Sequence, residues 1–159
     1  MSDSSIISTD LVELDVDFGS DTTEVITNLA KVVADAGRAT DAEGLAKDVL
    51  ARESKAATGV PGGVAIPHCR SASVTEPTLA FARLKNPVDF SGPDGAANLV
   101  FMIAAPDGAG KAHLKILSKL ARNLVRKEFI EALRGAETKE ELVELVTDVV
   151  AGAPKKAPA

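Results

Sequence analysis

Leu99-Val100-Phe101-Met102-Ile103-Ala104 is an uninterrupted apolar run of strand length, and it gives the strongest indication of the fold. A strand that is apolar at every position is buried on both faces, as in the centre of a helix-covered sheet. The composition agrees: 45% of the residues are hydrophobic but only 3% are aromatic, so the core is built from Val, Leu, Ile and Ala. We therefore predict an α/β protein with a buried sheet.

Three other segments have strand patterns. Leu11–Asp17 alternates apolar and acidic residues, which is typical of a half-exposed strand. Leu79–Leu84 is mostly apolar, and we expect Asn86-Pro87 to break it. Val64–Ile66 has the pattern of a buried strand end, and Pro67 should take the chain out of the sheet because proline has no N–H to donate.

Five helices are predicted from apolar spacing and from end signals. The first runs from about Asp21 to Ala36, with Gly37 as its cap. A capping box at Thr40–Glu43 starts the second, which runs to about Glu53. The remaining three are His113 to about Leu124, Lys127 to Leu133, and a helix to Val150 that a capping box at Thr138–Glu141 begins.

Chain organisation and composition limit the function. Residues 1–150 suit one domain, and the Ala-, Pro- and Lys-rich tail 151–159 resembles an interdomain linker, so we expect a module of a longer polypeptide. A net charge of −5 and the absence of Trp and Tyr give no support to nucleic-acid binding. One cysteine, no signal peptide and no apolar run of about 20 residues favour a cytoplasmic protein.

Two charged surfaces each leave two interpretations open. The first thirty residues hold seven acids and no Lys or Arg, which indicates either a solvated surface or a docking site for a basic partner. The helix after His113 carries a basic stripe, which is either solvated or docks on an acidic partner. The stripe consists of Lys111, Lys115, Lys119, Arg122 and Arg126.

The chain has two histidines, and both fall at predicted element boundaries. His68 follows the apolar run and proline, and its imidazole can be neutral near pH 7, which makes it a nucleophile for a phosphoryl group. His113 begins an amphipathic helix, whose N-terminal N–H groups and dipole suit phosphate. From these residues alone, each could equally be structural: His68 bonded at a strand end, and His113 at the edge of the core.

Two nearby patterns do not support a cofactor. His68-Cys69 supplies two metal ligands without a spaced second pair, so we expect Cys69 to be buried like a small hydrophobic residue. Pro106–Ala112 superficially resembles a nucleotide-binding P-loop. That pattern needs a glycine where Ala105 stands and Ser or Thr where Ala112 stands. We expect neither a metal nor a nucleotide cofactor.

The segment Thr58-Gly59-Val60-Pro61-Gly62-Gly63-Val64-Ala65-Ile66-Pro67-His68 resembles the active-site signature of enzyme IIA of the fructose/mannitol class. These proteins are phosphoryl carriers of the bacterial phosphoenolpyruvate-dependent sugar phosphotransferase system. Three more segments match: Leu50-Ala51-Arg52-Glu53, Leu99–Pro106 and His113–Leu120. The resemblance extends from about Leu11 to Val150, and it implies a mixed parallel and antiparallel sheet sandwiched by helices.

The resemblance also implies a relay. The phosphocarrier HPr, or an HPr-like domain, would phosphorylate His68 at Nε2, and His68 would pass the group to a cysteine of a IIB domain of a sugar permease. Overall resemblance favours fructose as the sugar, and contact with the membrane would be only indirect, through the IIC component. The alternative is a nitrogen-type regulatory enzyme IIA that acts through protein contacts.

Two further residues acquire roles from the resemblance. His113 would hydrogen-bond the phosphoryl oxygens on His68, and Arg52 would stabilise the charge of the transferred group. Glu53 would orient Arg52 or a histidine. The alternative for Arg52 is a surface charge paired with Asp48 at the preceding turn of the helix.

Overall fold

A computed structural model describes residues 7–55, 59–60, 63–92, 95–106, 111–124 and 126–150. The strands are β1 Val12–Val16, β2 Gly59–Val60, β3 Val64–Ala65, β4 His68–Arg70, β5 Thr78–Gly92 and β6 Gly95–Ala105. The α-helices are α1 Thr22–Asp35, α2 Ala42–Lys55, α3 Lys111–Leu124, α4 Lys127–Gly135 and α5 Lys139–Val150. The predicted tail 151–159 and part of the P-loop-like segment, 107–110, lie outside the described residues.

The sheet is organised around β6, as the apolar run predicts. β5 pairs antiparallel with one edge of β6, while β3 and β4 pair parallel with the other. β1 joins β5 in parallel, and the order β1-β5-β6-β3-β2 completes a mixed sheet. Leu99–Ala105 is fully buried, and the Phe101 ring lies 4.8 Å from that of Phe81 on β5.

Helices sandwich the sheet. α1 packs on β5 and on α2, which in turn lies against β4. α3 packs on β6, α5 packs on β1, and α4 contacts both of these helices. The mixed, helix-covered sheet that the resemblance implies is therefore confirmed. None of the helices in the described ranges is long and apolar enough to cross a membrane.

The two prolines expected to end strands behave differently. Pro67 lies between β3 and β4, so the strand is interrupted there as expected. The chain nevertheless stays beside β6, because the Pro67 carbonyl accepts a hydrogen bond from the Ile103 amide at 3.0 Å and β4 begins at the next residue. Proline lacks only the donor, so its carbonyl can still pair. Asn86-Pro87 lies inside β5, where the pairing with β6 shifts register between Arg83 and Val88. That irregularity accommodates the missing N–H.

The predicted helix ends are mostly confirmed. The Asp21 side chain caps α1 by accepting from the Glu24 amide at 2.8 Å, and Gly37 after the helix has a φ of +81°. The Thr138 hydroxyl caps α5 by accepting from the Glu141 amide at 3.1 Å. The capping box proposed at Thr40 is wrong, because α2 begins at Ala42. The backbone N–H of Thr40 donates instead to the Ser73 carbonyl at 2.7 Å.

A buried arginine on β5 joins three parts of the fold, and sequence reasoning did not single it out. Arg83 is 8% exposed, and it donates from Nε and Nη2 to the two carboxylate oxygens of Asp15 at 2.8 and 3.0 Å. Its Nη1 donates to backbone carbonyls at the end of α4, those of Leu133, Arg134 and Ala136. Arg83 therefore fixes the end of α4 against β1 and β5.

The contact between Asp15 and Arg83 predicts how the stability of the fold depends on pH. Hydrogen bonds from Arg83, and then its charge, hold the pKa of Asp15 below the usual value of 3.8. The carboxylate therefore stabilises the fold above that pH, and the contribution disappears as pH falls through the lowered pKa. Asp15→Asn should lower stability at pH 7 by less than about 1 kcal/mol, because the Asp15 side chain is 67% exposed. Urea unfolding at several pH values measures this difference.

The substitution suits the backbone, because Asp15 has a φ of +56° and Asn tolerates that region well. The difference from wild type should shrink below about pH 4, where the unfolded carboxyl is protonated. Asp35→Asn, at an exposed carboxyl at the end of α1, is the control. A difference that stays constant between pH 7 and pH 3 would contradict this account of Asp15.

Candidate functional site

His68 begins β4 and is 9% exposed, so it does not simply follow a strand end as the sequence suggested. Its Nδ1 lies 2.8 Å from the carbonyl oxygen of Ile66. A carbonyl can only accept, so Nδ1 must carry the hydrogen, and the neutral imidazole then has its lone pair on Nε2. The backbone thereby selects one tautomer of the ring.

Both ends of this hydrogen bond are held by the sheet. Ile66 directly follows β3, which pairs with β6 through Val64 and Ala65. His68 is in register with Ile103 of β6. Pro67, which lies between Ile66 and His68, accepts a hydrogen bond from the Ile103 amide. The proline ring also fixes φ, which limits the ways that the carbonyl and the imidazole can move relative to each other.

Helix α2 lies along β4 and the turn that follows it. The Ser71 hydroxyl donates to the Asp48 carboxylate at 2.6 Å, so this carboxylate has a partner outside the helix. A Cβ built on Gly44 would lie 2.8 Å from Ser73 Oγ, which shows how closely the helix approaches the turn.

The bond between Asp48 and Ser71 locates Arg52. Four helix residues rise about 6 Å, and two strand residues span about 6.6 Å. The contacts of Gly44 with Ser73 and of Asp48 with Ser71 advance toward the start of β4, so extrapolation by one more helical turn puts Arg52 near the level of Cys69. Arg52 and Glu53 are both half-buried.

The other predicted site residues are only partly described. His113 lies in the first turn of α3, which packs on β6, but its side chain is outside the described residues. Cys69 is 7% exposed, as expected for a residue that packs like a small hydrophobic side chain. Among the described side chains, no group of three or more His, Cys, Asp or Glu residues is arranged to hold a metal ion.

The described members of the basic stripe face the solvent to different degrees. Lys115, Arg122 and Arg126 are exposed, while Lys119 is half-buried. Their exposure is compatible with both interpretations of the stripe, a solvated face and a docking surface.

Comparison with known proteins decides the family. Residues 5–149 match the family model described as "Phosphoenolpyruvate-dependent sugar phosphotransferase system, EIIA 2". The chain belongs to this family. Phosphoryl transfer is the general role of EIIA proteins, and the resemblance predicted from the histidine signature is confirmed.

Relatives of this EIIA chain include proteins from two functional groups. It is 41% identical over 123 residues to the PTS system fructose-specific EIIABC component of Bacillus subtilis, covering 77% of this chain. The chain spans only 19% of the length of that relative. It is 36% identical over 135 residues to a nitrogen regulatory protein of Pseudomonas aeruginosa, covering 84% of this chain and 88% of the relative.

A solved structure has the same fold. The nitrogen regulatory protein IIA-Ntr from Neisseria meningitidis aligns with this EIIA chain with a TM-score of 0.81 and 32% identity. The alignment covers 89% of this chain and 97% of the other. Similarity to both groups means that membership of the family does not by itself distinguish fructose transport from nitrogen regulation.

Sequence reasoning missed two features of the candidate site. The Ile66 carbonyl was not identified as the partner of His68, although a histidine two residues after it, across a proline, is a local signal. Ser71 was also missed. The regular spacing of Gly44, Asp48 and Arg52 could have indicated one helix face, but its contact with the turn after β4 depends on tertiary packing.

Proposed function

We propose that this EIIA chain is a phosphocarrier that accepts a phosphoryl group on His68 and passes it to a IIB domain. The donor is HPr or an HPr-like domain. The observation that supports this most is the hydrogen bond from His68 Nδ1 to the Ile66 carbonyl. It leaves the nucleophilic lone pair on Nε2 without requiring a separate general base.

The phosphoryl transfer needs no cofactor, because the bonds formed and broken and the protons all balance. The Nε2 lone pair attacks phosphorus and forms a P–N bond, while the bond between phosphorus and the donor nitrogen breaks and returns its electron pair to the donor. Nδ1 keeps its proton throughout, hydrogen-bonded to the carbonyl, so no proton has to leave the ring. Transfer from His68 to a cysteine thiolate of IIB follows the same pattern, with a P–S bond formed.

Two side chains would act on the phosphoryl oxygens during this step. Arg52, which is half-buried on α2, supplies a guanidinium that stabilises the dianionic group. His113, in the first turn of α3, donates a hydrogen bond to the same oxygens, and the N-terminus of that helix adds backbone N–H groups.

We propose fructose as the sugar that the complete system transports. The fructose-specific relative from Bacillus subtilis supports this, and its EIIABC name indicates that A, B and C components share one polypeptide there. In the proposed relay, IIB receives the group from His68 and phosphorylates the sugar at the membrane component IIC. The EIIA domain itself does not touch the sugar.

A second candidate function is nitrogen-type regulation through protein contacts. It is favoured by the 36% identity to the nitrogen regulatory protein and by the match to the IIA-Ntr structure. Phosphorylated protein incubated with a purified fructose IIB domain distinguishes the two functions. Rapid appearance of phosphocysteine on IIB supports transport, whereas a stable phosphohistidine that never transfers supports regulation.

The acceptor is tested with His68→Asn. The Asn side-chain amide keeps a donor near the Nδ1 position but has no counterpart of Nε2, so the fold should persist and phosphorylation by phospho-HPr should be abolished. Intact-mass spectrometry measures the phosphoryl adduct, and thermal unfolding checks the fold. In wild type the adduct should be lost in acid and survive in base, because protonation weakens a P–N bond, and ATP alone should give none.

An acid-stable adduct, or full labelling of the folded His68→Asn variant, would contradict the assignment. Labelling of the variant would move the acceptor to His113 or to a hydroxyl side chain.

The role of His113 is tested with His113→Ala. The variant should still accept a phosphoryl group, because the acceptor is intact, but both transfers should slow by about tenfold or more with the loss of one oxygen ligand. Quench-flow measurements with phospho-HPr and with IIB give the two rates. A folded variant that phospho-HPr cannot label at all would exclude a purely stabilising role.

A further inference from the structure

The hydrogen bond between Ser71, which follows β4, and Asp48 on α2 is the basis of a further inference. Ser71 is 1% exposed, and its hydroxyl donates to the Asp48 carboxylate at 2.6 Å while accepting from the Ser73 amide at 3.1 Å. The accepted bond uses a lone pair of the hydroxyl oxygen, so its only hydrogen is committed to Asp48. The backbone N–H of Ser71 donates to the Ala105 carbonyl at 2.8 Å, which attaches the residue to the central strand.

This contact differs in kind from the rest of the packing of α2. The helix buries Leu45, Ala46 and Val49, but apolar contacts are not directional. A short hydrogen bond to a carboxylate restricts both distance and angle. The bond between Ser71 and Asp48 therefore sets how far along β4 the helix sits.

Arg52 is one helical turn beyond Asp48. Asp48 and Arg52 both belong to α2, while His68 begins β4 and Ser71 directly follows it. Any slide or rotation of α2 relative to β4 that breaks the bond between Asp48 and Ser71 therefore also moves Arg52 relative to His68. Displacement of a catalytic group by about 1 Å costs up to about a hundredfold in rate.

We propose that Asp48 and Ser71 are positioning residues for phosphoryl transfer, which hold Arg52 at the correct height beside the strand of His68. This assignment rests on the proposed function, in which Arg52 stabilises the transferred group. Neither Asp48 nor Ser71 touches the phosphoryl group in this account; they act through Arg52.

The test uses Asp48→Ala, because Asp48 is exposed and alanine is the best helix former, so the variant should fold. Ser71→Ala removes the donor from the same bond. Glu43→Ala, at another exposed carboxylate on α2, is the matched control. Single-turnover phosphorylation by phospho-HPr is measured over a range of donor concentrations.

Asp48→Ala should lower the maximal transfer rate by about tenfold and leave the half-saturating donor concentration unchanged. The control should match wild type. Asp48→Asn, which keeps an oxygen that accepts from Ser71, should recover most of the rate. If Asp48→Asn were as slow as Asp48→Ala, the carboxylate charge would be responsible and the positioning role would be wrong.

The decisive measurement is a double-mutant cycle with Arg52→Gln. If Asp48 acts through Arg52, adding Asp48→Ala to Arg52→Gln should slow transfer no further. A further tenfold loss in the double variant would overturn the positioning role. If Arg52→Gln itself transfers at the wild-type rate, the proposed role of Arg52 fails. If wild type is not phosphorylated on histidine at all, the proposed function fails.

Discussion

Strand β6 is hydrogen-bonded along both edges, and the geometry around His68 depends on that arrangement. One edge pairs with the long strand β5. The other edge pairs first with β3 and then with β4, so one long strand aligns two short ones. Between those short strands lie Ile66 and Pro67, and β6 keeps the carbonyl of Ile66 at hydrogen-bonding distance from the imidazole of His68.

In the proposed relay, the hydrogen bond from Nδ1 to the Ile66 carbonyl fixes the tautomer of the His68 ring. A surface histidine exchanges between two tautomers and several rotamers, and only some of these present a lone pair to phosphorus. In this EIIA chain the backbone makes that selection before any partner binds. In the proposed relay, the same hydrogen bond would serve both the acceptance and the release of the phosphoryl group.

The sequence identified the main elements because strong local patterns determine them. The apolar run Leu99–Ala104 marked the central strand, and alternation or helical spacing marked most of the others. The errors occurred where tertiary pairing overrides a local signal. Asn86-Pro87 was expected to break β5, but a register shift against β6 accommodates it. Pro67 does interrupt the strand, but its carbonyl keeps the chain paired with β6. Thr40 was expected to cap α2, but it pairs with Ser73, a partner that is distant in the sequence.

In the candidate site, the sequence identified His68 but not the contact between Asp48 and Ser71. His68 stood out because its residue type, the preceding proline and the family signature coincide. Asp48 and Ser71 carry no such local mark, since their relationship exists only after α2 packs against β4. Arg83 was missed for the same reason, because its carbonyl partners on α4 are about fifty residues away.

We propose that the hydrogen bond from Nδ1 to the Ile66 carbonyl directs the phosphoryl group to Nε2 of His68. Phosphorus–nitrogen coupling in NMR spectra of ¹⁵N-labelled, phosphorylated protein identifies the nitrogen that carries the group. We expect one-bond coupling of phosphorus to Nε2 of His68, with a proton still attached to Nδ1. Coupling to Nδ1 of His68, or to any nitrogen of His113, would show that this assignment is wrong.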